Sequence, residues 1–261
     1  MLSHRNIKLL IEYDGSAYHG WQRQHNALTI QEVLETCLSR LTKEHIRVIG
    51  SGRTDAGVHA LGQVANFKTA TDLPLSAFNA GLNRLLPADI AILAAQEVAP
   101  EFDARYAALG KTYEYRLLNR PVRSALHRAY CWWLPMFLDE TAIKQASAAL
   151  IGEHDFSAFQ SSGSSIKNPV RRVWAASWDL AGEGWYRFRI TANGFLRGMV
   201  RSLVGTLVDI GRGKRRPEDI AQILVSRDRC QAGPTAPAQG LYLVQVLYDQ
   251  QDLEKLTDSE G

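Results

Sequence analysis

A ten-residue stretch, Gly50-Ser51-Gly52-Arg53-Thr54-Asp55-Ala56-Gly57-Val58-His59, follows a largely apolar run from Ile46 to Ile49. The run reads as a strand, and the glycines after it force a loop. Glycine takes positive φ without penalty and lets a ligand approach the backbone closely. Gly52 and Gly57 bracket one carboxylate, Asp55, and Arg53 two residues before it favours the charged form. A reactive carboxylate at the mouth of a sheet can be built this way. Aspartate in a glycine-rich loop is also ordinary turn and cap material. Gly50-x-Gly52 after a strand resembles the start of a dinucleotide-binding fingerprint. Asp55 argues against that reading, because a pyrophosphate there would meet a negative charge instead of a helix N-terminus. The next segment, from His59 to Gln63, leads into a strand and not a helix.

The rest of the chain sets the context of this loop. Ile7 to Tyr13 reads as a strand ending at the Asp14-Gly15 turn signal. Thr29 and Glu32 form a capping box before Val33, Leu34, Cys37, Leu38 and Leu41 at helical spacing. Strands are expected over Ile46 to Ser51, Gln63 to Lys68 and Ile90 to Val98. A helix is expected between Pro74 and Pro87. In the second half, Lys111 to Leu118 alternates, with Tyr113 and Tyr115 on one face. A helix follows Asp139 to Ile151, a Ser/Gly-rich and mobile loop runs from Gln160 to Pro169, and a hairpin joins Val170–Leu180 to Trp185–Thr191. Helices are expected over Gly194–Ile210 and from Pro217 to Val225, and a last strand from Leu241 to Tyr248. This order predicts an α+β fold: two pseudo-symmetric αβ subdomains, 1–105 and 106–261, sharing a largely antiparallel central sheet flanked by helices. The first carries the aspartate loop and the second completes the active-site cleft.

Charge is uneven along the 261 residues, although the formal net charge is only +3. From Arg105 to Arg128 six basic residues face Glu114 alone, and a second basic block runs from Lys167 to Arg216. After Tyr248 the chain is acidic. A basic middle suggests a polyanion face such as nucleic acid, set against a scattered, solvated surface. Cys37, Cys131 and Cys230 are far apart, which fits a reducing compartment with neither a disulfide frame nor a zinc site. The N-terminus lacks a signal-peptide apolar run, and no apolar run is long enough for a membrane helix, so a cytoplasmic protein is expected.

Three other residues carry weight. Tyr113 on its strand either packs in the core or stacks on a base and carries protons. Arg201 lies in an otherwise apolar helix, with Arg197 four residues earlier on the same face. Either the pair faces solvent or Arg201 meets a buried carboxylate, for which Asp55 is the natural partner. His154-Asp155 could hold a metal, but the other histidines lack ligand spacing, so a capped helix end is expected there and no metal.

Seven blocks stand in order: Tyr13-Asp14-Gly15 through Gly20-Trp21-Gln22; Gly52 through Ala60; Phe102 through Arg105; Lys111 through Arg116; Gly152 through Phe156; Phe195 through Arg201; and Ala236 through Leu243. Taken together, they resemble the tRNA pseudouridine synthase A family over nearly the whole chain. The resemblance implies the pseudouridine synthase fold and isomerisation of uridine to pseudouridine at tRNA positions 38, 39 and 40 of the anticodon stem-loop. It implies no cofactor and no metal, and a homodimer in which one tRNA contacts both subunits. Asp55 aligns with the catalytic aspartate, as nucleophile or base. Tyr113 aligns with the tyrosine that packs on the base, and Leu241 supports the base from the other side. Chemistry adds Arg201 as compensation for the carboxylate charge and Arg53 as a phosphate contact that helps hold a flipped nucleotide. Arg197 departs modestly from the family pattern, and the acidic tail lies outside the matched blocks. An RNA-binding module without catalysis would keep the basic faces and lose the carboxylate, so Asp55 and Tyr113 argue against it.

Overall fold

A computed structural model describes residues 4–161, 163, 168–251 and 253. Half of the Gln160–Pro169 loop and most of the acidic tail lie outside the described residues. The fold is mixed α+β, with large-sheet structure and a few helices among the described residues. The chain divides into two compact units, Met1–Leu109 with Leu243–Tyr248, and Gly110–Tyr242 with Asp249–Gly261.

In the first unit, β1 (Arg5–Tyr13) leads to α1 (Ile30–Thr42), β2 (Ile49–Gly50), β3 (His59–Thr69) and β4 (Ile90–Val98). β1 pairs antiparallel with both β3 and β4. Ile7, Leu9 and Ile11 alternate into the core from β1, while Ile30, Leu34 and Leu38 enter it at helical spacing from α1. All six are fully buried. The cap expected at Thr29 is present, with its side chain accepting from the Glu32 N–H.

The strand expected from Ile46 to Ser51 shrinks to Ile49–Gly50. Side chains of α1 account for the difference. Ser39 Oγ accepts from the Ile46 N–H at 3.1 Å, and Glu35 Oε1 accepts from the Val48 N–H at 3.1 Å. Backbone donors satisfied by a helix's side chains need no strand partner. The helix between Pro74 and Pro87 contains a π turn at Ala77–Gly81.

The second unit opens with β5 (Gly110–Asn119), followed by β6 (Trp132–Leu134), α2 (Glu140–Ala148), β7 (Gly152–Asp155), β8 (Val170–Leu180) and β9 (Trp185–Ala192). The strand order is β5-β9-β8-β7 through antiparallel pairs, and β6 pairs parallel with β5. β8 and β9 form the expected hairpin, with Gly182, Glu183 and Gly184 all at positive φ. α3 (Met199–Gly211) and α4 (Asp219–Ser226) follow, and then β10 (Leu241–Leu247), whose residues from Leu243 on belong to the first unit. Trp178, Tyr186 and Phe188 cluster in the core of this unit.

Two expectations are corrected here. His154-Asp155 belongs to β7 rather than to a helix end, because Gly152–Asp155 finds β8 as a strand partner. α3 begins at Met199 and not at Gly194. Gly198 sits at φ 71, and Ser161 presses on it while its N–H donates to the Arg197 carbonyl at 2.8 Å. A left-handed residue interrupts a right-handed helix, so Arg197 is an exposed loop residue and shares no helix face with Arg201.

Candidate active site

The Asp55 loop rests on the turn that follows β1. Trp21 N–H donates to the Thr54 carbonyl at 3.1 Å, and Gly57 N–H donates to the Tyr18 carbonyl at 3.3 Å. Val58 N–H closes a turn onto the Asp55 carbonyl at 3.1 Å, with Gly57 at φ 76. Gly20, at φ 88, lies so close to the Thr54 carbonyl that a Cβ would collide with it. The glycine is therefore required twice, by conformation and by space.

Side chains brace the same loop. The Tyr13 hydroxyl lies 2.7 Å from Thr54 Oγ1, both buried. Ser51 Oγ donates to Gln63 Oε1 at 2.7 Å, and Gln63 Nε2 donates to the Gly52 carbonyl at 3.0 Å. Burial drives the Tyr13 phenol far above its usual range, with hydrogen bonds from Thr54 and Gln63 opposing it, so this hydroxyl stays neutral. His59 is buried at the loop's end. Its Nδ1 accepts from the Gly15 N–H at 3.1 Å, with Asp14 Oδ1 also 3.1 Å away. Thr54 and Val58 are buried on either side of Asp55, which is half-buried. The loop is thus held inward at Thr54 and again at Val58, with Ala56 exposed between them and Asp55 half-buried. Arg53 is exposed, and its Nε donates to Gln22 Oε1 at 3.1 Å.

The other expected site residues lie in the second unit. Tyr113 is 7% exposed on β5, with its ring edge-on to Phe195 at 4.9 Å. Leu241 is buried at the first position of β10. Arg201 is half-buried in α3, where its Nε donates to the Ala236 carbonyl at 2.7 Å and its own carbonyl accepts from the Ala236 N–H at 3.0 Å. This reciprocal pair ties α3 to the segment leading into β10. Tyr115 ties down the same segment: its hydroxyl donates to the Pro237 carbonyl at 2.7 Å, and Gly240 lies against its ring.

Sequence reasoning missed the bracing roles of Tyr13, Thr54, Gln63 and Tyr115. The Tyr113/Tyr115 alternation was a signal for the last of these; nothing local marks the others. Asp155 is engaged by Ser157 and by Arg227 Nε at 3.0 Å. Among the described residues no group of His, Cys, Asp and Glu side chains is placed to hold a metal ion, and no helix is long and apolar enough to cross a membrane.

The model of the tRNA pseudouridine synthase family matches residues 9–107 and 146–249. The chain is 50% identical over 244 residues to tRNA pseudouridine synthase A of Acetivibrio thermocellus, covering 94% of this chain and all of that one. It is 50% identical over 246 residues to the enzyme of the same name from Geobacter sp. strain M21, covering 94% and 99%. A Thermoanaerobacter sp. relative of that name is 47% identical over 244 residues, covering 94% and 100%. The two matched segments include the aspartate loop, the end of α2, α3 and β10, and the relatives are matched end to end. On that extent of likeness the chain belongs to the tRNA pseudouridine synthases, a family of isomerases.

Proposed function

We propose that this enzyme isomerises uridine to pseudouridine in tRNA, at positions 38, 39 and 40 of the anticodon stem-loop. The observation that supports the reading best is the build of the Asp55 loop. Thr54 just before Asp55 and Val58 three residues after it are buried, the loop's backbone is bonded to the turn after β1, and Asp55 itself is left half-buried. Covalent catalysis by a carboxylate needs such positioning.

In this reading residues 1–105 form the subdomain that carries Asp55, and residues 106–261 supply Tyr113, Arg201 and Leu241. The N-glycosidic bond breaks, the uracil turns while held, and a C–C bond forms, so the reaction is balanced without a redox partner. Asp55 is the nucleophile or base. Tyr113 packs on the uracil and Leu241 supports its other face. Arg201 compensates negative charge during the reaction, and Arg53 contacts phosphate. Extrusion of a base costs a few kcal/mol, which backbone contacts must offset. The enzyme acts as a cytoplasmic homodimer with one tRNA touching both subunits.

Incubating unmodified tRNA with the protein and mapping pseudouridine tests activity, substrate and position together. Product at positions 38 to 40 is expected; its absence from tRNA overturns the reading.

A further inference from the structure

In the second unit, the register of β5 against β9 sets Arg116 directly opposite Arg187. Residues so paired point to the same side of the sheet, with Cβ atoms about 5 Å apart, and like charges there repel. The next pair on that face is Glu114 opposite Arg189. Glu114, 2% exposed, accepts from Arg116 Nε at 2.8 Å and from Arg189 Nε at 2.9 Å. One carboxylate therefore serves two guanidinium groups, and Arg187 adds a third. On β8, Asp179 lies opposite Arg187, with its Oδ2 accepting from the Ser177 hydroxyl. Around these pairs the three arginines Arg116, Arg187 and Arg189 meet two carboxylates, Glu114 and Asp179. The adjoining segment 120–128 brings Arg120, Arg123 and Arg128 and no acidic residue.

Arg116 and Arg187 line one groove of about 370 Å³ with His127, Tyr130 and Trp185. Two of its walls are held in advance. The Arg116 guanidinium lies 3.9 Å from the centre of the Tyr242 ring, and His127 stands perpendicular to Trp185 at 5.1 Å. A planar guanidinium binds phosphate oxygens in pairs, and an anion between two opposed arginines removes their repulsion. Aromatic walls accept the base or ribose attached to that phosphate.

We infer that this groove is a phosphodiester subsite for the RNA substrate. One backbone phosphate sits between Arg116 and Arg187, and its neighbouring nucleoside lies against Trp185. The inference rests on tRNA being the substrate and adds a contact surface to that reading.

Arg187 is exposed, so Arg187→Gln removes the charge without opening the core. Filter binding of full-length protein to unmodified tRNA across a salt series reads the effect. Arg187→Gln should weaken binding about tenfold at low salt, and the slope of log K against log salt should fall by about one. Arg187→Lys should restore the slope while leaving affinity below wild type, because a lysine cannot make the paired contact. Trp185→Ala should weaken binding with the slope unchanged. Unchanged affinity and slope in Arg187→Gln overturn the subsite. So does a change confined to the protein's sedimentation, which would assign the groove to a second copy of the chain. Pseudouridine formation by wild-type protein, measured in the same samples, reports on the functional reading separately.

Discussion

The hydroxyl of Tyr13 and Oγ1 of Thr54 lie 2.7 Å apart in the core of the first unit, one residue before Asp55. Tyr13 ends β1, and Thr54 belongs to a loop 41 residues later. The pair thus fixes the aspartate loop to the strand. Removing one partner leaves the other buried without it, at a cost of about 1–3 kcal/mol. Tyr13→Phe should lower stability by that amount in urea denaturation and reduce turnover. A Tyr13→Phe/Thr54→Val double mutant should be less destabilised than the sum of the single changes, and simple additivity would deny the coupling.

Asp55→Asn changes charge at nearly constant shape. Pseudouridine formation should be abolished while tRNA binding persists, read by product mapping and filter binding. Turnover near wild type would remove Asp55 from the chemistry.

Gly20→Ala should destabilise the protein by about 2 kcal/mol or more, since φ 88 is unfavourable for alanine and the new Cβ meets the Thr54 carbonyl. Activity should fall with stability, because the displaced carbonyl belongs to the residue before Asp55. A thermal melt and a turnover assay on the same sample check both.

Tyr113→Phe keeps the edge-on contact with Phe195 and removes the hydroxyl. A drop in kcat with an unchanged melting temperature is expected if the hydroxyl moves protons. Full activity would confine Tyr113 to packing on the base.

Glu114 links stability to pH. Burial opposes its ionisation, but hydrogen bonds and charge from Arg116 and Arg189 prevail and hold the carboxyl below its ordinary 4.5. A carboxyl depressed in the folded state stabilises the fold above its unfolded pKa, and the contribution is lost as pH falls through the folded value. Stability should therefore drop as pH falls below about 4.5. Glu114→Gln should flatten that part of the profile and cost about 1–3 kcal/mol at neutral pH. Urea midpoints measured from about pH 3 to about pH 7, across the range in which carboxyls titrate, check both effects.

Much of the local structure was legible in the residues themselves. The alternation of Ile7, Leu9 and Ile11, the Thr29 cap, the β8–β9 hairpin and the glycine-bounded loop at Asp55 each depend on neighbours within a few positions. Backbone sterics, capping and side-chain periodicity act over that range, so the sequence by itself determines them. The ordered blocks also pointed to the family. The tertiary structure alone decided what happens where distant groups compete for the same backbone. Glu35 and Ser39 take the donors of Ile46 and Val48, so an apolar run that reads as a strand is mostly not one. Ser161 presses on Gly198, and α3 loses its first turn and Arg197 with it. Arg201 finds a main-chain carbonyl, Ala236, 35 residues away. Hydrogen-bonding groups must be satisfied, and which partner does so depends on who arrives in space, which local periodicity does not encode.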